Sequence, residues 1–480
     1  MACNSSSGCQ SGGCYKNEED SLRDQTPTPT ATGTGGGGGG GVCIKCKTNP
    51  PISTTSTSSS PLDADNSRFC FDCFRSNLYG KFRLAVTSHA MISPSDNVLL
   101  AVSGGPASRV TLQFVHEMQV RAQKNLDASR EKALPVFGVG VAFVEESCVS
   151  SVSSDQVDRA VEEMRVITSN LSPPMKQFHV VPIQNVYASD PPEDAKDRFR
   201  KLLDAVTDAT GKEDLLLHMR MLALQKVASE NGYSRLVLGS CTSRIACHVI
   251  AATVKGQGYS LSADIQYVDS RWQVPVVLPL RDCTEQELNL LCRLDGLVLN
   301  GTLLSSWQGS LKTPQLCMNP TSGINGLVSS FVTLLKEENP SRECTIVRTA
   351  GKLTPFHFNR VPETNDCNGS SATLRRLKKY NLNTKESLSS ELFCPICNSP
   401  LQSSDFLGSP KITKSVSFDA ACCSSCRFQI LPKDPSSLEL FSLLLPQQVV
   451  GRAKNDSCGN LNLLRERIQD CLLSDSEDET

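Results

Sequence analysis

From Asn97 to Ser108 the chain reads NVLLAVSGGPAS, an apolar run suited to a buried strand that breaks into Ser103, Gly104 and Gly105 before a segment with helical spacing. A parallel strand that hands glycines to a helix N-terminus gathers free backbone N–H groups and the positive end of the helix dipole at one point, which favours phosphate. Ser103 and Ser108 flank the turn with hydroxyls, and Val110, Leu112, Phe114, Val115 and Met118 follow at the spacing of an amphipathic helix. A tight turn that binds nothing is the plain alternative, because short glycine motifs recur by chance.

Further along, short apolar runs alternate with helical segments. Val98 to Val102, Val136 to Phe143, Phe178 to Ile183 and Leu236 to Gly239 read as strands, with helices near Asp155 to Thr168, Ala195 to Val206 and Asp214 to Glu230. That alternation predicts an α/β fold with a parallel sheet covered on both faces. In such a sheet ligands sit beyond the carboxyl ends of the strands, so Ser103 to Ser108 and Gly239 to Arg244 are expected at one mouth. Lys255-Gly256-Gln257-Gly258 offers a cation there or is a plain loop, and Thr284 to Glu287 reads as a capping box opening a helix through Leu291.

The 480 residues, 39% of them hydrophobic, suffice for a sizeable core, and a net charge of -2 leaves the partner to local clusters rather than to bulk charge. No run approaches the roughly 18 apolar residues of a membrane span, and Met-Ala-Cys-Asn-Ser-Ser lacks the basic and apolar regions of a secretory signal. The expected compartment is the cytosol. Thiols stay reduced there, so the 22 cysteines are read for metal ligation. Cys43 and Cys46 with Cys70 and Cys73 form one doubled CxxC set, and Cys394 and Cys397 with Cys423 and Cys426 form another. Each suits a structural zinc held by four thiolates with no open position, with iron–sulfur ligation a minor alternative. Cys422 competes with Cys423, but the spacing to Cys426 favours Cys423.

The expected organisation is a disordered tail over 1–41, a zinc module over 42–90, the α/β domain over 91–360, a basic linker over 361–390, a second zinc module over 391–445, and a short helix with an acidic tail over 446–480. After the first module, Arg75, Lys81 and Arg83 alternate with Phe74, Tyr79 and Phe82. Aromatics turned inward and cations outward would leave Lys81 and Arg83 free for an RNA backbone. Arg375, Arg376, Lys378 and Lys379 form a second basic patch able to engage phosphates. For both, a solvated helix face is the alternative.

The SGGxxS loop resembles that of the pyrophosphatase-loop ATP enzymes (adenine nucleotide alpha hydrolase-like, with a Rossmann-like sheet), which adenylate a substrate carbonyl and usually read SGGxDS. Here the acidic position is Ala107. Thiolating relatives carry Gly-His-x-x-Asp-Asp after a later strand, where this chain has Ser240, Ser243 and Arg244, and a reactive CxxC where it has Thr210 to His218. Cys241 and Cys247 lie near but lack paired spacing, and the Pro-Leu-Arg segment of those enzymes matches Pro279-Leu280-Arg281. From about Val42 to Leu445 the order of motifs resembles the second-subunit family of the cytoplasmic tRNA 2-thiolation complex. Cys43-Ile-Lys-Cys46, Phe69-Cys-Phe-Asp-Cys-Phe74 with Lys81-Phe82-Arg83, and Phe393-Cys-Pro-Ile-Cys397 are the most specific elements. The resemblance implies a heterodimer with a catalytic first subunit and tRNA as partner. It also implies sulfur from a thiocarboxylated ubiquitin-related modifier, delivered to the wobble uridine of lysine, glutamine and glutamate tRNAs. ATP binding by the Ser103, Gly104, Gly105 and Ser108 loop is doubtful on these residues. Two other readings remain open: an active ATP-dependent thiolase with Asp264 supplying magnesium, and a zinc-built scaffold with no RNA role.

Overall fold

Val98, Leu99, Leu100 and Val102 have no exposed face to offer, and they form the middle of a six-stranded sheet. The strands are β1 (Asn97–Val102), β2 (Gly138–Glu145), β3 (Gln177–Pro182), β4 (Arg235–Leu238), β5 (Val268–Asp269) and β6 (Val276–Val277), in the order β3-β2-β1-β4-β6-β5. All neighbours are parallel except β5 and β6, which are antiparallel. The computed structural model describes residues 42–52, 68–128, 135–149, 153–187, 191–297, 323–359, 392–401 and 418–453. The expected tail over 1–41, the Arg375, Arg376, Lys378 and Lys379 patch, and the short helix and acidic end over 461–480 lie outside the described residues.

In chain order the described helices are α1 (Phe71–Ser88), α2 (Pro106–Ala128), α3 (Ser154–Asn170), α4 (Pro192–Asp204), α5 (Ala209–Glu230), α6 (Thr242–Val254) and α7 (Leu261–Asp264), followed by α8 (Glu285–Leu294), α9 (Ile324–Glu338), α10 (Arg342–Ala350), α11 (Ser424–Gln429) and α12 (Pro435–Leu444). Successive side chains of a strand point to opposite faces, and the core divides accordingly. Val98, Leu100 and Val102 pack with α1, α2, α3 and α8, whereas Leu99 packs with α4, α5, α6, α10 and α12. Both faces of the sheet are therefore covered, as the near-continuous apolar runs require.

The expected strands appear with small shifts. β3 stops at Pro182, and Ile183–Val186 turns into a 3-10 segment because proline brings no N–H to continue a ladder. β5 and β6, two residues each, are too short to carry a periodic signal. Thr284 opens α8 with both arms of the capping box: its side chain accepts from the Glu287 N–H at 3.3 Å, and Glu287 accepts from the Thr284 N–H at 2.9 Å.

Candidate functional site

β1 and β4 run side by side, with Val98 opposite Arg235 and Ala101 opposite Leu238. The chain leaves β1 toward β2 on one side, while β4 lies on the other, so the crevice at their carboxyl ends is the switch point where α/β sheets take ligands. The Ser103 N–H donates to Ser108 Oγ at 3.3 Å, and that hydroxyl donates to the Gly105 carbonyl at 2.9 Å, closing the turn. Gly104 has φ of 77°, the left-handed region that glycine enters without cost. Pro106 then occupies the first helical position, where a missing N–H is harmless. Gly239 meets this turn from β4: a Cβ there would lie 3.0 Å from both Ser108 Cα and Ser108 N. The structure thus brings Ser103 to Ser108 and Gly239 to Arg244 together, as the strand pattern predicts.

Most of the polar groups named around this mouth are committed to holding the fold. Ser243 Oγ accepts from the Glu285 N–H at 3.0 Å, and Thr242 Oγ1 donates to the Arg281 carbonyl at 2.7 Å, so the second segment is stitched to the start of α8. Arg244 is exposed. Burial pushes both neighbouring thiols up, Cys247 to about 11, away from the thiolate that sulfur chemistry needs. Arg281 is buried rather than on a surface turn: its Nε donates to the Ile265 carbonyl at 2.6 Å and its guanidinium lies over the Tyr267 ring at 4.5 Å. Lys255, a possible source of a cation at the mouth, instead donates to both oxygens of Asp214 at 2.8 and 3.0 Å and to Asn325 at 3.3 Å. Asp264, the carboxylate that an active thiolase would lend to magnesium, pairs with Arg271 at 2.7 Å and His248 at 3.3 Å. Ala107 supplies no carboxylate, and the Thr210 to His218 stretch contains no cysteine.

His89, just past α1, stacks on Tyr267 with ring centroids 3.7 Å apart. Burial lowers its pKa from 6.5 to about 4, against the opposing pull of Asp282. The unfolded chain then binds a proton that the folded chain refuses, so this histidine's contribution is intact above pH 6.5 and fades as pH falls toward 4. The loss amounts to about 3 kcal/mol. We expect Tm to fall across that window and His89→Phe, which keeps a ring on Tyr267, to flatten the decline; an unchanged slope in the variant would assign it to other groups.

The eight clustered thiols fall into two sets of four. In each set the sulfurs all lie within 4.8 Å of one another: Cys43, Cys46, Cys70 and Cys73 in the first, and Cys394, Cys397, Cys423 and Cys426 in the second. Tetrahedral zinc with Zn–S of about 2.3 Å places its sulfurs roughly 3.8 Å apart. Cys46 and Cys70 are 3.8 Å apart and Cys397 and Cys423 are 3.6 Å apart, so both sets fit such an ion. Cys422 borders the second set, its thiol beside Cys394, but it donates to the Phe418 carbonyl at 3.4 Å and is not one of the four mutually close sulfurs. In the first set the Asn49 and Thr48 groups hold Cys46 down to about 5, while burial and neighbouring thiols push Cys73 up to about 12. Four crowded thiols cannot all ionise without a cation.

The two sets sit differently. The first borders the layer that includes α1, through the partly buried Ile52, Phe69 and Phe71. The second is part of the opposite core itself, where its cysteines pack with Leu215, Met219 and Trp272. At Gly211 in α5 an added Cβ would fall 1.9 Å from the Gln429 carbonyl of α11, so only glycine admits this approach.

On α1 the aromatics Phe74, Tyr79 and Phe82 are buried, as the alternation predicts. Of the cations, Arg83 faces solvent, whereas Lys81 Nζ donates to Glu287 at 2.7 Å and Arg75 pairs with Glu117 and Asp295. Sequence spacing shows that Lys81 leaves the aromatic face but not that α8 brings a carboxylate to meet it.

No protein-family model matches the chain. It is 56% identical over 481 aligned residues to Cytoplasmic tRNA 2-thiolation protein 2 of Arabidopsis thaliana, with 100% of both chains covered. The chain belongs to the cytoplasmic tRNA 2-thiolation protein 2 family. The counterpart from Oryza sativa subsp. indica is 50% identical over 85% of this chain and 86% of its own length, and the Homo sapiens member is 25% identical over 65% and 67%. Among solved structures, the U34-tRNA thiolase NcsA from Methanococcus maripaludis with its [4Fe-4S] cluster matches 71% of this chain and 97% of its own. The identity there is 17% and the TM-score 0.43. Among the described residues, no helix is long and apolar enough to cross a membrane.

Proposed function

We propose that this protein is a cytoplasmic, non-catalytic subunit of a tRNA 2-thiolation complex. In this reading it binds tRNA and positions it for a catalytic partner subunit, and the two form a heterodimer. Thiolation needs C2 of uridine to be activated and sulfur to be delivered to it. The observation that carries the proposal is the commitment of the switch-point mouth: a phosphate-loop turn survives between Ser103 and Ser108, while Ser243, Arg281, Lys255 and Asp264 are bound into structural contacts. Family membership supports the pathway, and the relatives' name supplies the tRNA. The wobble uridine of lysine, glutamine and glutamate tRNAs as target, and a thiocarboxylated ubiquitin-related modifier as donor, extend the same reading.

Zinc at the two four-thiolate sets would hold the segments around them, supplying cross-links and no reaction step. Contacts with tRNA phosphates are assigned to Arg83 and to Arg375, Arg376, Lys378 and Lys379; Lys81 keeps Glu287 as its partner. The purified chain with ATP and tRNA should release no pyrophosphate, and release at a catalytic rate would overturn the non-catalytic assignment. Arg83→Glu should weaken tRNA binding and reduce the salt slope by about one unit, the signature of one lost phosphate contact. Unchanged affinity and slope would remove Arg83 from the interface.

A further inference from the structure

Arg109, in the first turn of α2, is a cation with no counterpart among the described residues. Its Nε and Nη1 are shut off from water and have no hydrogen-bond partner among the described residues. Guanidinium nitrogens stripped of water and given no acceptor are costly, and such groups in native folds call for an explanation such as a ligand or a function. Beside it lies a cavity of about 140 Å³ walled by Leu112 of α2, Ile167 and Leu171 at the end of α3, and Leu297 after α8. Gln113 and Asn170 are the remaining lining residues, so among the described residues no carboxylate lines it. Burial lowers the Arg109 pKa, which agrees with a charge in apolar surroundings.

We propose that this cavity is a binding site for a monocarboxylate carried on a small apolar body, with Arg109 pairing the carboxylate and the leucine and isoleucine walls taking the body. The chemistry of the walls selects the ligand. One guanidinium balances one negative charge, and a planar carboxylate matches its donor fork. A phosphate dianion would lose its water shell to four aliphatic side chains and gain a single cation, a poor exchange. An apolar cavity of about this volume takes a benzene-sized molecule, which sets the scale of the body. The site lies between α2, α3 and the end of α8 and uses none of the residues assigned above to tRNA or metal, so it stands or falls apart from that function.

Benzoate is a suitable probe, with benzyl alcohol as its neutral counterpart. Fluorine NMR of 4-fluorobenzoate with the full-length chain should show saturable binding, accompanied by a rise in Tm, and benzyl alcohol should compete weakly or not at all. Arg109→Met keeps the aliphatic stem and removes the charge; benzoate should bind it about tenfold more weakly or worse, the loss of one charge-assisted contact. Leu297→Trp fills the cavity while keeping the arginine, and should also abolish binding. A tripeptide ending in a free carboxylated valine, compared with its amide, distinguishes a peptide C-terminus from a free acid as the natural source. Equal binding of benzoate to the wild-type chain and Arg109→Met would overturn the proposal. So would displacement of the probe by inorganic phosphate as readily as by benzoate, equal binding of peptide acid and amide, or absence of any bound fluorobenzoate.

Discussion

Replacing Cys426 with serine should lower bound zinc from two equivalents per chain to one and abolish the cooperative unfolding transition of the whole sheet, not of a peripheral module alone. The reason is where the second thiolate set lies. Cys394, Cys397, Cys423 and Cys426 are buried within the same core as Leu99 of the central strand and Leu215 and Met219 of α5. Structural zinc in small domains is worth about 10–16 kcal/mol, while a domain's whole stability is about 5–15 kcal/mol. Removing one ligand also leaves three crowded thiols in an apolar interior, and the backbone of α11 is pressed against Gly211 so that movement there disturbs α5 directly. Cys46→Ser should be milder. Its set borders the other layer, and Cys46 and Cys73 are half-buried. Metal analysis with thermal unfolding of the two variants tests the contrast. Equal, small losses of stability with a full complement of metal would sink the assignment of the second set as a zinc cross-link.

Arg271→Ala should cost about 3–5 kcal/mol, the penalty for stripping one partner from a buried ionic group. Its side chain is 5% exposed and binds Asp264 at 2.7 Å, Asp269 through two nitrogens at 2.7 and 2.9 Å, and the Asn398 carbonyl at 3.3 Å. Asn398 follows the Cys394–Cys397 knuckle directly and donates back to the Arg271 carbonyl at 3.4 Å, so this arginine ties the second thiolate set to the strand β5 edge. Burial pushes the Asp264 carboxyl up, but Arg271 and His248 override it and hold the group well below the usual carboxylate range. With its folded pKa depressed, Asp264 contributes stability above its unfolded pKa of about 3.9, and that contribution is lost as pH falls further. Without Arg271 the carboxylate loses its main counterweight to burial, so its folded pKa rises toward the unfolded value, and the variant, already less stable at pH 7, should lose less further stability below about pH 3.9 than the wild-type chain does. Arg271→Lys, with charge but no planar fork, should recover only part of the loss. Denaturant unfolding at pH 7 and at a series of lower values measures both effects. A variant within about 0.5 kcal/mol of wild type, the range of ordinary surface substitutions, would show that the network is not holding the two segments together.

Much of the sheet can be read from local pattern. Apolar runs of strand length and helical spacing locate β1 to β4 and α2 to α5 because burial on both faces leaves a continuous apolar signature at those positions. The capping box at Thr284 is legible for the same reason, since every atom of it lies within four residues. Doubled CxxC spacing also picks out the eight thiols that the structure gathers, because a knuckle's geometry is set by its own short turn. The choice of Cys423 over Cys422 follows from that turn, and the four mutually close sulfurs include Cys423 while the Cys422 thiol donates to the Phe418 carbonyl.

The roles of the charged residues are another matter. Lys81, Lys255, Arg281 and Asp264 all look available for phosphate, mouth or metal in a linear reading. Each is satisfied by a group at least seven residues away and often far more: Glu287 for Lys81, Asp214 for Lys255, the Ile265 carbonyl for Arg281, and Arg271 for Asp264. The unpaired Arg109 shows the converse, since nothing in its neighbours along the chain marks it as the one guanidinium here with two buried, unpartnered nitrogens among the described residues.

Period, turn chemistry and knuckle spacing are properties of neighbours in the chain, and they were enough to point to a parallel α/β sheet, a phosphate-type turn, and two sets of four cysteines that could hold a metal. Whether a charge is free or spent depends on which distant element packs against it. Folding alone settled that the second thiolate set lies inside the core, that the switch-point mouth is closed by its own hydrogen bonds, and that Arg109 faces an apolar cavity. Solvation explains the division: a side chain's charge is worth little to the fold until burial removes its water, and burial is a property of three dimensions.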